Sequence, residues 1–186
     1  YKIILVGPAN SGKTTFFNKI LNNTTYDKKY MPTIGVDYGV KHLNYDNKKI
    51  ILKFWDTAGQ ERFNSIVSSF FKKINMAILI YDSSEPYSKK QIIYWLDLLK
   101  RESGNIPVIL IENKLDLIKN YYKKEELDIT NNYNIIKTFN ISFKNDDTAE
   151  IIEYILNYIK EDVIVTENLN TININNSTKK KNCCYF

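Results

Sequence analysis

Residues Gly7-Pro8-Ala9-Asn10-Ser11-Gly12-Lys13-Thr14 fit the spacing G-x-x-x-x-G-K-[ST]. The apolar run Ile3-Ile4-Leu5-Val6 precedes them, and a segment of helical character, Thr14 to Leu21, follows. A strand, a glycine-bearing loop and a helix start form the context in which this spacing binds phosphate, so it constrains fold and chemistry together. Backbone N–H groups of such a loop point inward at anionic oxygens, and the helix N-terminus adds partial positive charge. Lys13 reaches β- and γ-phosphates, and Thr14 offers a hydroxyl to Mg²⁺. The segment implies a nucleoside triphosphate site.

Asn113-Lys114-Leu115-Asp116 follows another apolar run, Val108-Ile109-Leu110-Ile111. A carboxylate such as Asp116 accepts two hydrogen bonds at once, from the ring N–H and the exocyclic amine of guanine. Adenine presents no such donor pair, so a buried Asp116 would stay unpaired against it. A site built around a required polar partner discriminates by about 10⁴-fold or more. The competing reading is a turn that caps a helix, since Asn and Asp favour such positions. The strand before the motif and the phosphate loop upstream favour guanine.

Between these motifs, Trp55-Asp56-Thr57-Ala58-Gly59-Gln60-Glu61-Arg62-Phe63 follows the strand-like Ile50-Ile51-Leu52-Lys53-Phe54. Asp56, at a strand's carboxyl end, suits a partner of Mg²⁺ acting through water. Gly59 can approach a γ-phosphate closely because it has no side chain. Gln60 can orient a water for in-line attack and is the candidate catalytic residue. In Pro32-Thr33-Ile34-Gly35, Thr33 offers a second hydroxyl to Mg²⁺; read alone, this stretch is simply a turn.

Together these residues resemble a Ras-superfamily small GTPase, most similar to the Rab branch. The likeness covers about residues 1 to 160 and the last few residues. Ile34-Gly35-Val36-Asp37-Tyr38, Arg62-Phe63-Asn64-Ser65-Ile66 and Leu79-Ile80-Tyr81-Asp82 resemble Rab signatures. The resemblance implies a phosphate-binding set of Asn10, Ser11, Gly12, Lys13, Thr14, Thr15, Thr33 and Gly59. It implies Mg²⁺ ligation by Thr14, Thr33 and Asp56. For the guanine it implies Tyr26 stacking on the ring, with Asn113, Lys114, Asp116, Ser142, Phe143 and Lys144 around it. It also makes Tyr38, Trp55 and Phe70 an aromatic patch that meets effectors; the alternative is ordinary packing of aromatics on a sheet face. The implied function is a GTP/GDP switch that hydrolyses GTP slowly and regulates vesicle traffic. The implied partners are a guanine nucleotide exchange factor, a GTPase-activating protein, effectors, a prenylation escort and a GDP-dissociation inhibitor. Three alternatives are a different P-loop enzyme such as an ATPase or kinase, which Asn113 to Asp116 argues against, a Ran-like nuclear-transport GTPase, which should lack C-terminal prenylation cysteines, and a GTP-binding scaffold that does not hydrolyse, which Gln60 argues against.

The chain departs from the family pattern in places. Pro8 lacks an N–H, but lies before the amides expected to face phosphate. Ala9 stands where Ras proteins carry Gly, and its methyl crowds the approach of an incoming arginine. The base loop expected as Ser-Ala-Lys reads Ser142-Phe143-Lys144. A contact through the backbone N–H of residue 143 tolerates the ring, whose bulk leaves open whether the loop shifts. Phe70-Phe71-Lys72-Lys73-Ile74 replaces a more usual Rab segment.

Expected strands are 2–6, 36–45, 48–55, 76–81, 107–111 and 135–141. Expected helices are 13–22, near 64–73, 87–102, around 121–130 and 147–161. This alternation implies a three-layer α/β P-loop NTPase G domain, with a six-stranded, mostly parallel sheet covered by helices on both faces. The 36–55 pair, with Asp46-Asn47 at its turn, is expected to supply one antiparallel edge strand. The chemistry-bearing loops then share the carboxyl ends of the strands, where such sheets bind ligands.

The chain has 186 residues, 44% hydrophobic, which suits one domain plus a tail: a G domain over 1–165 and a disordered tail over 166–186. Net charge is +5, but the lysines are dispersed along polar faces without interleaved aromatics, so no nucleic-acid partner is expected. No apolar run reaches about 18 residues, and no signal peptide is visible. Because the sequence starts at Tyr1 and not Met, a missing N-terminus is expected. Thr171 to Asn182 is mostly Asn, Thr, Ser and Lys, too polar to offset its ordering entropy. The sequence then reads Cys183-Cys184-Tyr185-Phe186 and holds no other cysteine. A disulfide between neighbours would be strained. The four residues fit C-a-a-X with Phe at X, a geranylgeranyl signal, and paired terminal cysteines resemble the doubly prenylated Rab tail. Stable anchoring needs two signals, which two lipids, or one lipid with Lys179-Lys180-Lys181, would supply. The expected location is the cytoplasmic face of an intracellular membrane, cycling with the cytosol.

Overall fold

The computed structural model describes residues 1–22, 33, 35–45, 48–59, 68–85, 88–118 and 132–161. They fall into two compact units, Tyr1–Thr148 and Ala149–Phe186. In the first, the elements are β1 (Lys2–Val6), α1 (Lys13–Asn22), β2 (Val36–Tyr45), β3 (Lys48–Thr57), β4 (Met76–Asp82), α2 (Ser88–Ser103), β5 (Val108–Asn113) and β6 (Ile135–Asn140). Short 3-10 turns occupy Ser68–Phe71 and Leu115–Leu117.

The strands form one sheet in the order β2-β3-β1-β4-β5-β6. β2 pairs antiparallel with β3, and every other pairing is parallel. This matches the expected sheet, including its antiparallel edge strand. The central strands are continuous apolar runs because both their faces are covered: all of β4 and β5 is buried. On one face α2 contributes Ile92, Trp95, Leu96 and Leu99 to a cluster with Ile4, Val6, Ala77, Leu79, Val108 and Leu110. Their spacing of three, four and seven residues is one stripe of a helix. Each buried Leu or Ile contributes about 1.5–3 kcal/mol. On the edge, α1 lies close enough to β2 that a Cβ at Gly39 would sit 2.0 Å from Leu21 Cδ1. Lys41 of β2 donates to the Ile20 carbonyl in the last turn of α1, where the helix dipole favours a cation.

Parallel register aligns the carboxyl ends of neighbouring strands. Leu5 lies beside Asp56, and Asp82 beside Asn113. Two strands run further than their apolar character suggests. β3 reaches Thr57, which pairs with Val36 and donates its hydroxyl to the Leu5 carbonyl at 2.7 Å. β5 reaches Asn113, because the backbones of Glu112 and Asn113 pair with β4 whatever their side chains. Polar side chains hid these ends.

The second unit is described over 149–161, a helix (α3) whose Ile151, Ile155, Leu156 and Ile159 are buried. The expected helix near 64–73 is described over 68–73, where Ser68–Phe71 is a 3-10 turn and residues 72–73 continue as a plain turn. The Asp46-Asn47 turn, the helix expected around 121–130 and the boundary at 165 lie outside the described residues.

Candidate functional site

The loop from Gly7 to Gly12 turns tightly between β1 and α1. Gly7 (φ 137°), Asn10 (φ 61°) and Gly12 (φ 105°) all have positive φ. A Cβ at Gly7 would sit 2.0 Å from the Ile80 carbonyl oxygen, and one at Gly12 2.3 Å from Asn113 Nδ2. Only glycine fits either position. α1 opens at Lys13, and Phe16 N–H donates to the Gly12 carbonyl at 2.9 Å, so the loop ends in the first helical bond.

Lys13 is buried and donates to the carbonyls of Gly7 (2.9 Å) and Pro8 (2.7 Å). Burial lowers its pKa to about 8, against the opposing pull of the Asp56 charge. Gly59 lies against this ammonium, since a Cβ there would stand 2.4 Å from Lys13 Nζ. Thr14, next in α1, donates its hydroxyl to Asp56 Oδ2 at 2.6 Å. Thr33 joins them, with its hydroxyl 2.7 Å from that of Thr14 and 3.4 Å from Asp56 Oδ2. Asp56 is fully buried, and burial raises its pKa while the Thr14 hydroxyl and Lys13 pull it down. Among the described residues its Oδ1 has no hydrogen-bond partner, and neither does the buried Ser11 hydroxyl. A buried oxygen without a partner is costly in a closed protein interior. Two hydroxyls and a carboxylate with a spare oxygen are the donor set of a hard divalent cation. The residues therefore fit Mg²⁺. Asn10 is exposed on the loop, and Thr15 is half-buried in α1.

The base motif begins where β5 ends. Asn113 Nδ2 donates to the Ser11 carbonyl at 2.8 Å, and Asn113 Oδ1 accepts from Phe143 N–H at 3.0 Å. The 3-10 turn that follows has Lys114 at its N-cap and no side-chain cap. Asn113 spends its amide bridging two loops and does not cap this turn. Lys114 takes a left-handed backbone conformation (φ 66°), and its Nζ pairs with Asp82 Oδ2 at 2.7 Å. Asp82 is fixed in turn by the Ser84 N–H (2.9 Å) and hydroxyl (2.6 Å). Asp116 Oδ1 accepts from the Ser142 hydroxyl at 2.6 Å, and Oδ2 lies 3.7 Å from Lys144 Nζ. The Asp116 side chain is 15% exposed, which leaves its carboxylate reachable. Ser142 N–H donates to Asp146 Oδ2 at 2.7 Å and closes the turn after β6. The Phe143 N–H, expected to face the base, has Asn113 as its partner here, and its ring points into the core.

Tyr38 and Trp55 pair across β2 and β3 with ring centroids 4.8 Å apart. Tyr38 is 51% exposed. Lys2 places its ammonium 4.7 Å from the centre of the Trp55 ring and donates to the carbonyls of Phe70 and Lys72, each at 2.8 Å. Phe70 and Trp55 both pack on the cluster under α2. The aromatic set is therefore partly an exposed surface and partly core. Sequence reasoning missed Lys2, and it read Asp82 only as part of a signature. A lysine opening an apolar strand was the available signal for the first. No pattern in the chain pairs Asp82 with Lys114. Tyr26, Gln60, Cys183 and Cys184 lie outside the described residues.

The model of the Ras family matches residues 2–164. This chain belongs to the Ras family. Proteins of that family bind GTP and GDP with Mg²⁺ and hydrolyse GTP, and the chain carries their small-GTPase domain. It is 36% identical over 156 residues to Ras-related protein Rab-1 of Theileria parva, covering 81% of this chain and 69% of that protein. Rab-1 of Theileria annulata is 40% identical over 120 residues, 63% of this chain and 54% of that protein. Human EF-hand calcium-binding domain-containing protein 4B is 32% identical over 187 residues, 99% of this chain. The chain spans only 25% of that human relative's length.

Proposed function

We propose that this chain is a Rab-like GTP/GDP switch that regulates membrane traffic. One observation carries the switch reading: Thr14, Thr33 and Asp56, from three separate segments, meet within hydrogen-bond distance beside Lys13. Thr14, Thr33 and Asp56 would hold Mg²⁺, which would supply charge neutralisation at the phosphates. Lys13 and the loop amides bind phosphate, Thr14 and Thr33 offer hydroxyls to the metal, and Asp56 holds them. Gly59 lies beside Lys13, close enough to read a γ-phosphate. Gln60 orients the attacking water. Loss of the γ-phosphate removes the reason for Thr33 and Gly59 to stay, and their segments relax. Asp116 selects guanine, with Asn113, Lys114 and the 142–144 loop positioning it and Tyr26 stacking on the base.

The only arginines are Arg62 and Arg101, so none in the segment around Thr33 can act in cis. Unassisted turnover is then on the order of 10⁻⁴ to 10⁻³ per second, and an arginine from an activating protein raises it by up to about 10⁵-fold. Single-turnover hydrolysis of bound GTP, with and without an activating fraction from the protein's own cells, tests this. Gln60→Leu is expected to keep nucleotide and lose the stimulated rate. Equal stimulated rates in both proteins would sink the role of Gln60. Nucleotide binding without any turnover would favour a non-hydrolysing scaffold.

The trafficking part rests on likeness to the Rab-1 proteins and on the cysteine tail. In this reading Cys183 and Cys184 carry geranylgeranyl groups, and Lys179 to Lys181 add attraction to an anionic leaflet. An exchange factor, an activating protein, effectors at Tyr38, Trp55 and Phe70, a prenylation escort and a GDP-dissociation inhibitor complete the cycle. Intact mass of the protein from its own cells, with fractionation of the Cys183→Ser/Cys184→Ser variant, tests the anchor. The same mass tests a second reading, favoured by the human EF-hand relative: that these residues are the GTPase module of a longer chain.

A further inference from the structure

The base loop of this chain carries a phenylalanine where its family pattern has alanine. The Phe143 side chain is 2% exposed. Its ring stands 5.2 Å, centroid to centroid, from that of Phe16 in the first turn of α1. A Cβ at Gly12 would sit 3.2 Å from Phe143 Cδ2, so the ring lies against the last glycine of the phosphate loop. The same residue reaches that loop by a polar route. Its N–H donates to Asn113 Oδ1, and Asn113 Nδ2 donates to the Ser11 carbonyl. A third tie flanks these, since Lys19 of α1 donates to the Asp146 carbonyl at 2.8 Å.

We infer that Phe143 is a positioning residue that couples the base loop to the phosphate helix and thereby sets how long nucleotide is held. The inference rests on the nucleotide reading above. The physical reason is that packed interiors transmit displacement instead of absorbing it. With alanine at 143 the polar route survives, but the volume between Gly12, Phe16 and the base loop is lost. Either the loop sinks toward α1 or the void persists, and both outcomes loosen the amides at Gly12 and Ser142 together. With phenylalanine, nucleotide leaves only if both loops yield.

The test measures release of a fluorescent GDP analogue from Mg²⁺-loaded wild type, Phe143→Ala and Phe143→Leu, each well below its melting temperature. Phe143→Ala is expected to release about tenfold faster, within the range that packed side chains couple sites. Phe143→Leu, which keeps most of the volume, is expected to stay within about threefold of wild type. Amide exchange of the GDP-bound Ala variant should show residues 8–12 and 142–146 losing protection together. Wild-type release in Phe143→Ala, or protection lost at 142–146 alone, overturns the coupling. If the Ala variant does not fold, Phe143→Leu decides by the same exchange readout: both loops loosening supports the coupling, and one loop alone overturns it. A wild type that holds no GDP overturns the nucleotide reading and this inference with it. A wild type that holds GDP beside an unaltered Ala variant overturns only the coupling.

Discussion

The part of the candidate site around Asp116, proposed as its base half, and the part around Lys13, proposed as its phosphate half, are built differently. In the base half, protein already answers protein: Asn113 bonds at both ends of its amide, Asp116 holds Ser142, and Lys114 holds Asp82. In the phosphate half, Asp56 Oδ1 and Ser11 Oγ are buried without partners among the described residues, and Lys13 keeps its ammonium in a desolvated place. A satisfied network rejects wrong ligands because its geometry is fixed beforehand. An unsatisfied one changes when charge arrives or leaves. The first suits selection and the second suits switching, and both depend on loops a few residues long.

The largest break in this contrast is Asp116→Ala. Guanine preference over adenine is expected to fall by about 10³-fold or more, read by competition of GDP against ADP. An unchanged ratio would show that the base is selected elsewhere. Asp56→Asn strikes the other half. It is expected to weaken Mg²⁺ binding to the GDP complex by about 10–100-fold while leaving the base ratio intact. A lost base ratio would mean that the halves do not divide the work as described.

Asp82→Ala sharpens the base half without touching a group that faces the ligand. Lys114 loses its carboxylate, and GDP release is expected to quicken several-fold, as for a lost charge-assisted bond at a partly exposed position. No change would mean that Lys114 holds its place without Asp82.

The smallest effect lies away from both halves. The Tyr133 hydroxyl donates to Asp97 at 2.6 Å, and this bond, with some burial, pushes its pKa up to about 12 from the ordinary 10. The folded protein then keeps a proton that the unfolded chain loses between those values. The bond's stabilising share is complete below pH 10 and disappears as pH rises toward 12. Urea midpoints of wild type and Tyr133→Phe should therefore converge across that window. GDP affinity should be equal in both proteins at neutral pH, and a difference there would break the assumed independence of this corner.

The sheet was legible because each core strand announces itself as an apolar run, and the phosphate loop fixes which ends of the strands meet. That Lys13, Thr14, Thr33 and Asp56 lie together was legible too, since each carries a group with an obvious use at one site. Relations across the chain were not. Nothing local to Asp82 points to Lys114, and nothing in Ser-Phe-Lys says that the ring turns inward onto Phe16. Side-chain direction depends on which neighbour leaves room, and here that neighbour is a glycine more than a hundred residues away in sequence. The ends of β3 and β5 were underread for a related reason: backbone pairing does not show in side-chain polarity.

The chain holds two tryptophans, and they stand in opposite surroundings. Trp95 is sealed under α2 at 2% exposure. Trp55 is half-buried, beneath the Lys2 ammonium and against the Tyr38 ring, one residue before Asp56. Lys2 also grips the backbone at residues 70 and 72, so its place over the indole records where that segment lies. The molecule thus carries its own optical gauge. In a Trp95→Phe background, tryptophan emission excited beyond the tyrosine band comes from Trp55 alone, and it is expected to respond when Lys2 moves from its ring. Movement of the segment at residues 70–72 can then be timed in unlabelled protein, from light emitted on β3, the strand beside the one that leads into the phosphate loop.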